Sequence, residues 1–169
     1  MHHDHAPETA DSITVRSLEQ LDEYRQCLEL QEVTWGRNFV EKVPPLLMKV
    51  VHRNGGVVAG AVDRDRVLLG FVFGIAGLES RDPYHWSHML AVRPEARGLG
   101  LGRELKLFQR EELLGREIDR ALWSYDPLVS RNAHLNFNRL GVLADDYVVD
   151  MYGQDTGSRL HDGLGTDRL

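Results

Sequence analysis

Cysteine is nearly absent from this chain, since Cys27 is the single one among 169 residues. An internal disulfide is therefore excluded, and the sequence suits the reducing environment of the cytoplasm. Long apolar runs are missing as well, and none approaches the roughly 20 residues that a membrane-spanning helix needs. The first residues lack the apolar core of a secretory signal. These absences predict a cytoplasmic protein that has no membrane partner.

An excess of positive charge is also absent. The chain carries 20 lysines and arginines against 26 aspartates and glutamates, a formal net charge of −6. Nucleic acid is therefore not expected as a partner, because phosphate backbones require a basic face. The hydrophobic content of 42% is ordinary for a soluble domain. We predict one domain at residues 12–152, between a disordered tail at residues 1–11 and a polar tail at residues 153–169.

A strand, a glycine-rich turn and the start of a helix follow one another in residues 88–103. The apolar pattern predicts a buried strand over residues 89–92 and a helix from Arg103 to Leu114. The backbone N–H groups at such a helix start have no partner, and the helix dipole adds positive potential. Gly98, Gly100 and Gly102 have no Cβ atoms that would keep a phosphate away from this backbone. The stretch therefore predicts a site for a phosphorylated ligand.

The spacing of the glycines separates the classes of phosphate ligand. A dinucleotide fold needs G-x-G-x-x-G, which these alternating glycines do not match. A Walker loop needs a Gly-Lys pair, which the chain lacks. The pattern R-x-x-G-x-G fits residues 97–102, after a strand that ends Leu-Ala-Val and a proline at position 94. This stretch resembles the acyl-CoA signature of the Gcn-type N-acetyltransferase (GNAT) superfamily. A glycine-rich helix entry without a ligand is the alternative.

The other predicted elements follow the order of the same fold. Strands are expected at residues 13–16, 57–62, 66–75, 121–125 and 147–152, and helices after a Ser17 cap, from Pro44 and at residues 132–140. The resemblance implies an α/β (α+β) GNAT fold with a mixed, mostly antiparallel sheet. The sheet would be splayed between strands 4 and 5 and flanked by about four helices. The seventh strand of the family has no counterpart in residues 153–169. An absent strand, a truncated chain or a covering subunit would explain this, and we hypothesise a homodimer.

The resemblance implies acetyl-CoA or another acyl-CoA, with succinyl-CoA as one option, and no metal. The backbone of the signature strand would pair with the pantetheine arm, and the turn amides would hold the pyrophosphate. The expected cofactor-binding residues are Leu90, Ala91, Val92, Arg97, Gly98, Leu99, Gly100, Leu101, Gly102, Arg103 and Asn132.

Acyl transfer to an amine requires a base, because the attacking amine must lose a proton. His88 is the first candidate, and strand alternation predicts that it shares a face with Trp86 and Leu90. A buried structural histidine is an equal alternative, and His85, at the exposed start of the strand, is second. The amide of Leu90 is the family's usual oxyanion donor. Phe137 stands where the family usually carries a tyrosine that reprotonates the CoA thiolate, so the proton donor stays open.

The acceptor is expected to be a small amine or amino acid. By resemblance the acceptor slot involves the first helices and the segment after the fifth strand, which makes Glu32, Trp35, Arg37 and Tyr125 the candidates for substrate binding. Three short runs, Gln-Glu-Val-x-Trp-Gly at residues 31–36, Asp-Pro-Leu at residues 126–128 and Tyr-Gly at residues 152–153, resemble a bacterial GNAT subgroup thought to transfer acyl groups, including succinyl, to amino acids. An acyl-CoA-binding sensor module with weak catalysis is the alternative function.

Overall fold

The structure, a computed structural model, describes residues 13–153, 156–160 and 165–169. The disordered tail predicted at residues 1–11 lies outside the described residues. Within the described ranges, no helix has the length and apolar character needed to cross a bilayer.

A five-stranded sheet in the order β1-β2-β3-β4-β5 forms the centre of the domain. Its strands are β1 (Thr14–Ser17), β2 (Val57–Val62), β3 (Leu68–Glu79), β4 (Asp82–Val92) and β5 (Ala121–Leu122). The first four strands are antiparallel to their neighbours, and β5 runs parallel to β4. The predicted mixed, mostly antiparallel sheet is confirmed. β3 and β4 are longer than predicted because they continue into an exposed hairpin that closes at Ser80 and Arg81.

Two hydrophobic clusters cover the two faces of the sheet. The helices are α1 (Leu21–Trp35), α2 (Pro45–Arg53), α3 (Leu101–Leu114) and α4 (Ser130–Ala133), which continues as a π-helical segment, His134–Leu140. On one face, Tyr24 and Leu30 of α1 and Met48 of α2 pack against Phe71 and Phe73 of β3. On the other face, the apolar side chains of α3 pack against β2 and Val72 of β3. All six residues of β2 are buried because helices cover both faces of that strand.

The starts of three helices differ from the prediction. Ser17 does not cap α1, because it pairs with Ala59 in the sheet. The helix begins after Gln20, whose backbone N–H donates to the Glu23 carboxylate at 2.9 Å. α3 begins at Leu101 rather than Arg103, since Gly100 already turns the chain into the helix. α4 begins at Ser130, two residues before the predicted start.

Two strands near the end of the domain differ from the prediction. The strand predicted at residues 121–125 ends at Leu122, and the strand predicted at residues 147–152 is wrong, since only an isolated bridge joins Val148 to Arg168 there. The carboxylate of Asp167 accepts a hydrogen bond from the backbone N–H of Asp150 at 2.9 Å, which favours a turn over an extended strand. Leu169 exchanges two backbone hydrogen bonds with Tyr125, at 3.1 and 3.2 Å. The final residues therefore lie between Tyr125 and Val148, beside the splayed strand.

The described part of residues 153–169 packs against the domain. The carbonyl of Thr156 accepts a hydrogen bond from Val40 at 3.0 Å, and the N–H of Arg159 donates to the carbonyl of Trp35 at 2.9 Å. Thr166 and Arg168 are buried. Hydrogen bonds to the rest of the protein therefore satisfy some of the backbone polar groups of this segment.

We predict that Gly74→Ala lowers the free energy of unfolding by about 1–3 kcal/mol, because overpacking forces neighbouring atoms to move. A Cβ at Gly74 would overlap Nε2 of His85 and lie 2.8 Å from the carbonyl oxygen of Trp86. Urea denaturation measures the change. In a His85→Ala background the same substitution should cost at least about 1 kcal/mol less, since neighbouring substitutions couple. Equal costs in both backgrounds would contradict this account of the Gly74 site.

Candidate active site

The outer edge of β4 loses its neighbouring strand halfway along its length. β5 pairs with β4 only at His85–Ala121 and Trp86–Leu122. From Ser87 to Val92, no strand of the described residues continues this pairing, so an opening separates β4 from the segment that follows β5. The expected splay between strands 4 and 5 is therefore present. An exposed strand edge can bind an extended ligand by backbone hydrogen bonds, as an added strand would. Leu90, Ala91 and Val92, the residues expected to hold pantetheine, lie on this edge.

The glycine turn lies directly after the open edge. Gly98 and Gly100 have φ values of +91° and +80°, which favour glycine over other residues. A Cβ at either position would meet nothing within 4 Å, so open space lies against the backbone. The N–H groups of Gly98, Leu99 and Gly100 donate to no other group of the described residues. Together with the start of the 14-residue α3, these groups form a cradle suited to a phosphate.

The π-helical segment forms the wall next to the cradle. A Cβ at Gly102 would lie 3.8 Å from the Leu135 side chain and 3.9 Å from that of Leu90. Nε of Arg103 donates to the carbonyl of Arg139 at 3.4 Å. Leu101 is buried, whereas Arg97 and Leu99 are exposed at the turn. Asn132 is half-buried in α4, and its backbone N–H donates to the carbonyl of Val129, the N-cap residue, at 2.8 Å.

His88 is the extra residue of a β-bulge. Phe73 pairs with Met89 and Gly74 pairs with Ser87, which leaves His88 without an opposite residue. A bulge breaks the alternation of side chains and re-aims one of them. The His88 ring meets Phe73 edge-on at 6.1 Å, whereas Leu90 packs with the α3-side cluster. The prediction that His88 and Leu90 share a face was therefore wrong.

The surroundings of His88 favour the neutral imidazole. Burial lowers its pKa below the usual value, and the negative charge of Glu41 offsets part of this effect. A neutral imidazole can accept a proton, so His88 meets the chemical requirement for a base near pH 7. Glu41 lies in the connection between α1 and α2, which places that connection near the imidazole.

His85 is buried rather than exposed, contrary to the prediction. Its Nε2 lies 3.0 Å from the side-chain amide of Gln109 in α3, and its Nδ1 has no partner among the described residues. Burial, together with the charge of Lys106, lowers the pKa of His85 to about 4. His85 is therefore neutral at pH 7 and belongs to the layer between β4 and α3.

Lys106 is a buried residue that the sequence analysis did not select. Its Nζ donates a hydrogen bond to Oγ of Ser87 at 2.7 Å and lies 3.8 Å from the centre of the Trp123 ring. Trp123 in turn donates from Nε1 to Oδ1 of Asn136 at 3.0 Å. Burial lowers the pKa of Lys106 to about 7. The helical spacing could have indicated that Lys106 is buried. Leu101, Leu105 and Lys106 lie on the side of α3 that faces the sheet.

The candidates for acceptor binding at the end of α1 already have partners. Nζ of Lys42 donates to the Glu32 carboxylate at 2.9 Å and to the carbonyl of Arg37 at 2.7 Å. Trp35 stacks on Phe39 with 5.6 Å between ring centres and packs against the core. The guanidinium-bearing side chain of Arg37 is exposed.

Tyr125 lies apart from that group. Its ring meets Phe137 edge-on at 6.0 Å, and its backbone pairs with Leu169. Burial raises the pKa of the Tyr125 hydroxyl. No hydrogen bond or ring contact among the described residues joins Tyr125 to Glu32, Trp35 or Arg37.

Comparison with known proteins supports the same fold. The sequence model of the Acetyltransferase (GNAT) family matches residues 19–141. No curated protein sequence is a significant match to the chain.

Solved structures of several acetyltransferases are similar to this one. An aminoglycoside acetyltransferase from an uncultured soil metagenomic sample, in complex with trehalose, has a TM-score of 0.69 at 18% identity. The match covers 86% of this chain and 97% of that one. The NatC complex bound to Gag peptide and CoA has a TM-score of 0.72 at 13% identity, with coverage of 93% and 94%.

Glucosamine-6-phosphate N-acetyltransferase from Arabidopsis thaliana has a TM-score of 0.62 at 13% identity, with coverage of 80% of this chain and 95% of that one. At such identities the likeness shows the fold. The family model spans most of the chain, and the open edge of β4 and the glycine cradle occupy the positions that the acyl-CoA signature implies. The chain therefore belongs to the GNAT acetyltransferase family, whose enzymes use acetyl-CoA or another acyl-CoA as the donor.

Proposed function

We propose that this protein transfers an acyl group from acyl-CoA to the amino group of a small amine or amino acid. The observation that carries the proposal is the continuity of the open β4 edge with the glycine cradle. An acyl-CoA combines an extended amide-containing arm with a pyrophosphate. The first suits a free strand edge, and the second suits unpaired amides at a helix start.

The open edge of β4, the glycine cradle and α4 each bind a different part of CoA. The backbone of Leu90, Ala91 and Val92 holds the pantetheine arm. The amides of residues 98–102 bind the pyrophosphate, with the exposed Arg97 adding positive charge at the turn. The amide of Arg103, which was also expected to bind it, instead donates to the carbonyl of Gly100 at 3.0 Å. Asn132 contributes from α4.

His88 acts as the base. Its neutral imidazole takes the proton of the amine, directly or through one water, as nitrogen attacks the thioester carbonyl. The backbone N–H of Leu90 stabilises the oxyanion that forms on the carbonyl. Because the bulge directs His88 towards Phe73, the acceptor approaches from the face that α1 and α2 cover.

The acceptor pocket lies beside the end of α1, where Trp35 forms apolar packing and Arg37 offers an exposed positive charge. Glu32 already forms an ion pair with Lys42, so it contributes to the shape of the pocket rather than to an ion pair with the amine of the acceptor. Tyr125 borders the opening from the segment that follows β5. Arg37 suits the carboxylate of an amino acid or of a succinyl group, so acetyl-CoA and succinyl-CoA are both donors to test. The similar structures include an aminoglycoside acetyltransferase, a glucosamine-6-phosphate N-acetyltransferase and a complex bound to a peptide, which leaves a range of acceptors to compare.

The homodimer and the cytoplasmic location remain predictions. Solution scattering measures the first, and a monodisperse monomer would contradict it. Fractionation of cells that express the protein measures the second.

We predict that His88→Ala abolishes most acyl transfer while leaving CoA binding intact. Release of CoA should be followed with acetyl-CoA and succinyl-CoA across amines and D- and L-amino acids. General base catalysis contributes about 10²–10⁴-fold, so kcat/KM should fall by that amount. The matched control is His134→Ala, because His134 is exposed.

The pH dependence gives a second readout for His88. A base must be unprotonated, so the rate should rise with pH on the acidic side of the profile, and the midpoint of this rise should lie below the usual imidazole pKa of about 6.5, because burial favours the neutral form. Retention of wild-type turnover in His88→Ala would exclude this role. Tight CoA binding without turnover in the wild type would favour the sensor module instead.

We predict that Gly102→Ala weakens CoA binding by about tenfold or more without loss of stability. The added methyl would make ordinary contacts with Leu90 and Leu135, and it would occupy part of the space beside the backbone to which the proposal assigns the pyrophosphate. Alanine also favours helix over glycine by about 1 kcal/mol. Calorimetric titration with CoA and urea denaturation measure the two effects. Gly115→Ala, at the other end of α3, is the control. An unchanged dissociation constant for CoA would contradict the assignment of the cradle.

A further inference from the structure

Two hydrogen-bond contacts join one side of α3 to β4 in sequence. They connect Lys106 with Ser87 and Gln109 with His85, and one turn earlier a Cβ at Gly102 would lie 3.9 Å from the Leu90 side chain. The last two residues of β4 that pair with β5 are His85 and Trp86, so Ser87 is the first residue beyond the pairing. Lys106 and Ser87 therefore lie at the narrow end of the opening, three residues from Leu90.

The ammonium group of Lys106 is buried without a counter-ion. Among the described residues no carboxylate lies within ion-pair distance of it, and its contacts are Oγ of Ser87 and the face of Trp123. Trp123 directly follows β5, so the side chain spans the point where the two strands separate. Burial of a cation without an anion is unfavourable. A functional site that develops negative charge is one place where such a group is retained.

We propose that Lys106 and Ser87 form a proton-donor pair that protonates the sulfur of the departing CoA. The proposal rests on the proposed acyl transfer and deepens it, because it assigns a donor for the second proton transfer of the reaction. Phe137 carries no ionisable proton, and the imidazole of His85 is unprotonated near pH 7.

The step conserves atoms and charge. The nitrogen of the acceptor forms the new C–N bond and loses its proton to His88. The C–S bond breaks, and its electron pair goes to sulfur. Oγ–H of Ser87 gives its proton to that sulfur as Nζ of Lys106 gives a proton to Oγ. The products are an amide, the free CoA thiol, protonated His88 and a neutral Lys106 amine, and both side chains return to their starting states by exchange with solvent.

The serine hydroxyl suits an intermediate role because one oxygen can accept one hydrogen bond and donate another. The groups that face Lys106 are Ser87 from β4 and Trp123 after β5. His85 and Gln109 form the next contact along α3. Of these, His85 alone titrates below neutrality, and it is neutral in the working range. Because an acid must be protonated, the rate should decline as pH rises through about 7, the pKa of Lys106.

The test compares Lys106→Met, Ser87→Ala and the double variant in steady-state transfer. We expect each single variant to lower kcat by about 10²-fold or more, with the KM for acyl-CoA changed less than about threefold. The decline of rate above pH about 7 should disappear in Lys106→Met. The double variant should be no slower than the slower single one, since the two residues act as a unit. Lys49→Met, on α2, is the control.

Direct titration of the bound thiol makes the test independent of the acceptor. The ultraviolet absorbance of the CoA thiolate is followed against pH in complexes with wild type, Lys106→Met and Lys49→Met. Below pH about 7, where Lys106 is charged, its ammonium favours the thiolate, so the thiolate fraction there should be about tenfold larger in wild type and Lys49→Met than in Lys106→Met. Equal ionisation in all three complexes, or wild-type kcat and pH profile in Ser87→Ala, would overturn the proposal. If Lys106→Met does not fold, the kcat and the pH profile of Ser87→Ala decide the matter. Absence of wild-type turnover alongside a shifted thiol would instead reject the proposed acyl transfer.

Discussion

The separation of β4 and β5 after two residue pairs decides what the rest of the molecule can do. A strand edge inside a domain normally finds a partner, because unpaired backbone groups are costly to bury. Here the chain beyond Leu122 turns away, and the end of the chain pairs with Tyr125 instead of β4. The opening that results runs from Ser87 to Val92 and ends at the glycine cradle. The bulge at His88 lies on the same stretch, so the ligand edge and the candidate base belong to one strand.

The layer between β4 and α3 explains how the opening is held. It is polar where a core is usually apolar, with Lys106, Gln109, His85 and Ser87 all buried. Each of the two α3 side chains bonds a residue of β4, and Lys106 also covers the ring of Trp123. Buried polar groups that hydrogen-bond across two elements fix one arrangement of those elements, and Nδ1 of His85 is the atom of this layer that stays without a partner among the described residues. The layer thus fixes β4 relative to α3 and to the chain after β5, and it leaves free the part of the opening that is nearer the glycine cradle.

Local patterns predicted the elements whose signal is contained in a few residues. The turn of alternating glycines, the proline start of α2 and the buried β2 are examples, and the family resemblance supplied the splay. What could not be predicted depends on tertiary contacts. The bulge that re-aims His88 arises from the register of β3 and β4, which no single-strand pattern records. The burial of His85 depends on Gln109 of α3 and on the absence of a side chain at Gly74. The apolar run at residues 147–152 looked like a strand, but the hydrogen bonds of Asp167 hold it in a turn.

The central claim is that CoA binds along the open edge of β4 with its pyrophosphate on the glycine cradle. A titration of ¹⁵N-labelled protein with CoA, followed by amide resonances, tests it most directly. Our account predicts that Gly98, Gly100 and Gly102 shift together and saturate with the amides of Leu90 to Val92, while Gly115 at the far end of α3 stays unchanged. Saturable CoA binding that leaves the three cradle glycines unmoved would contradict it.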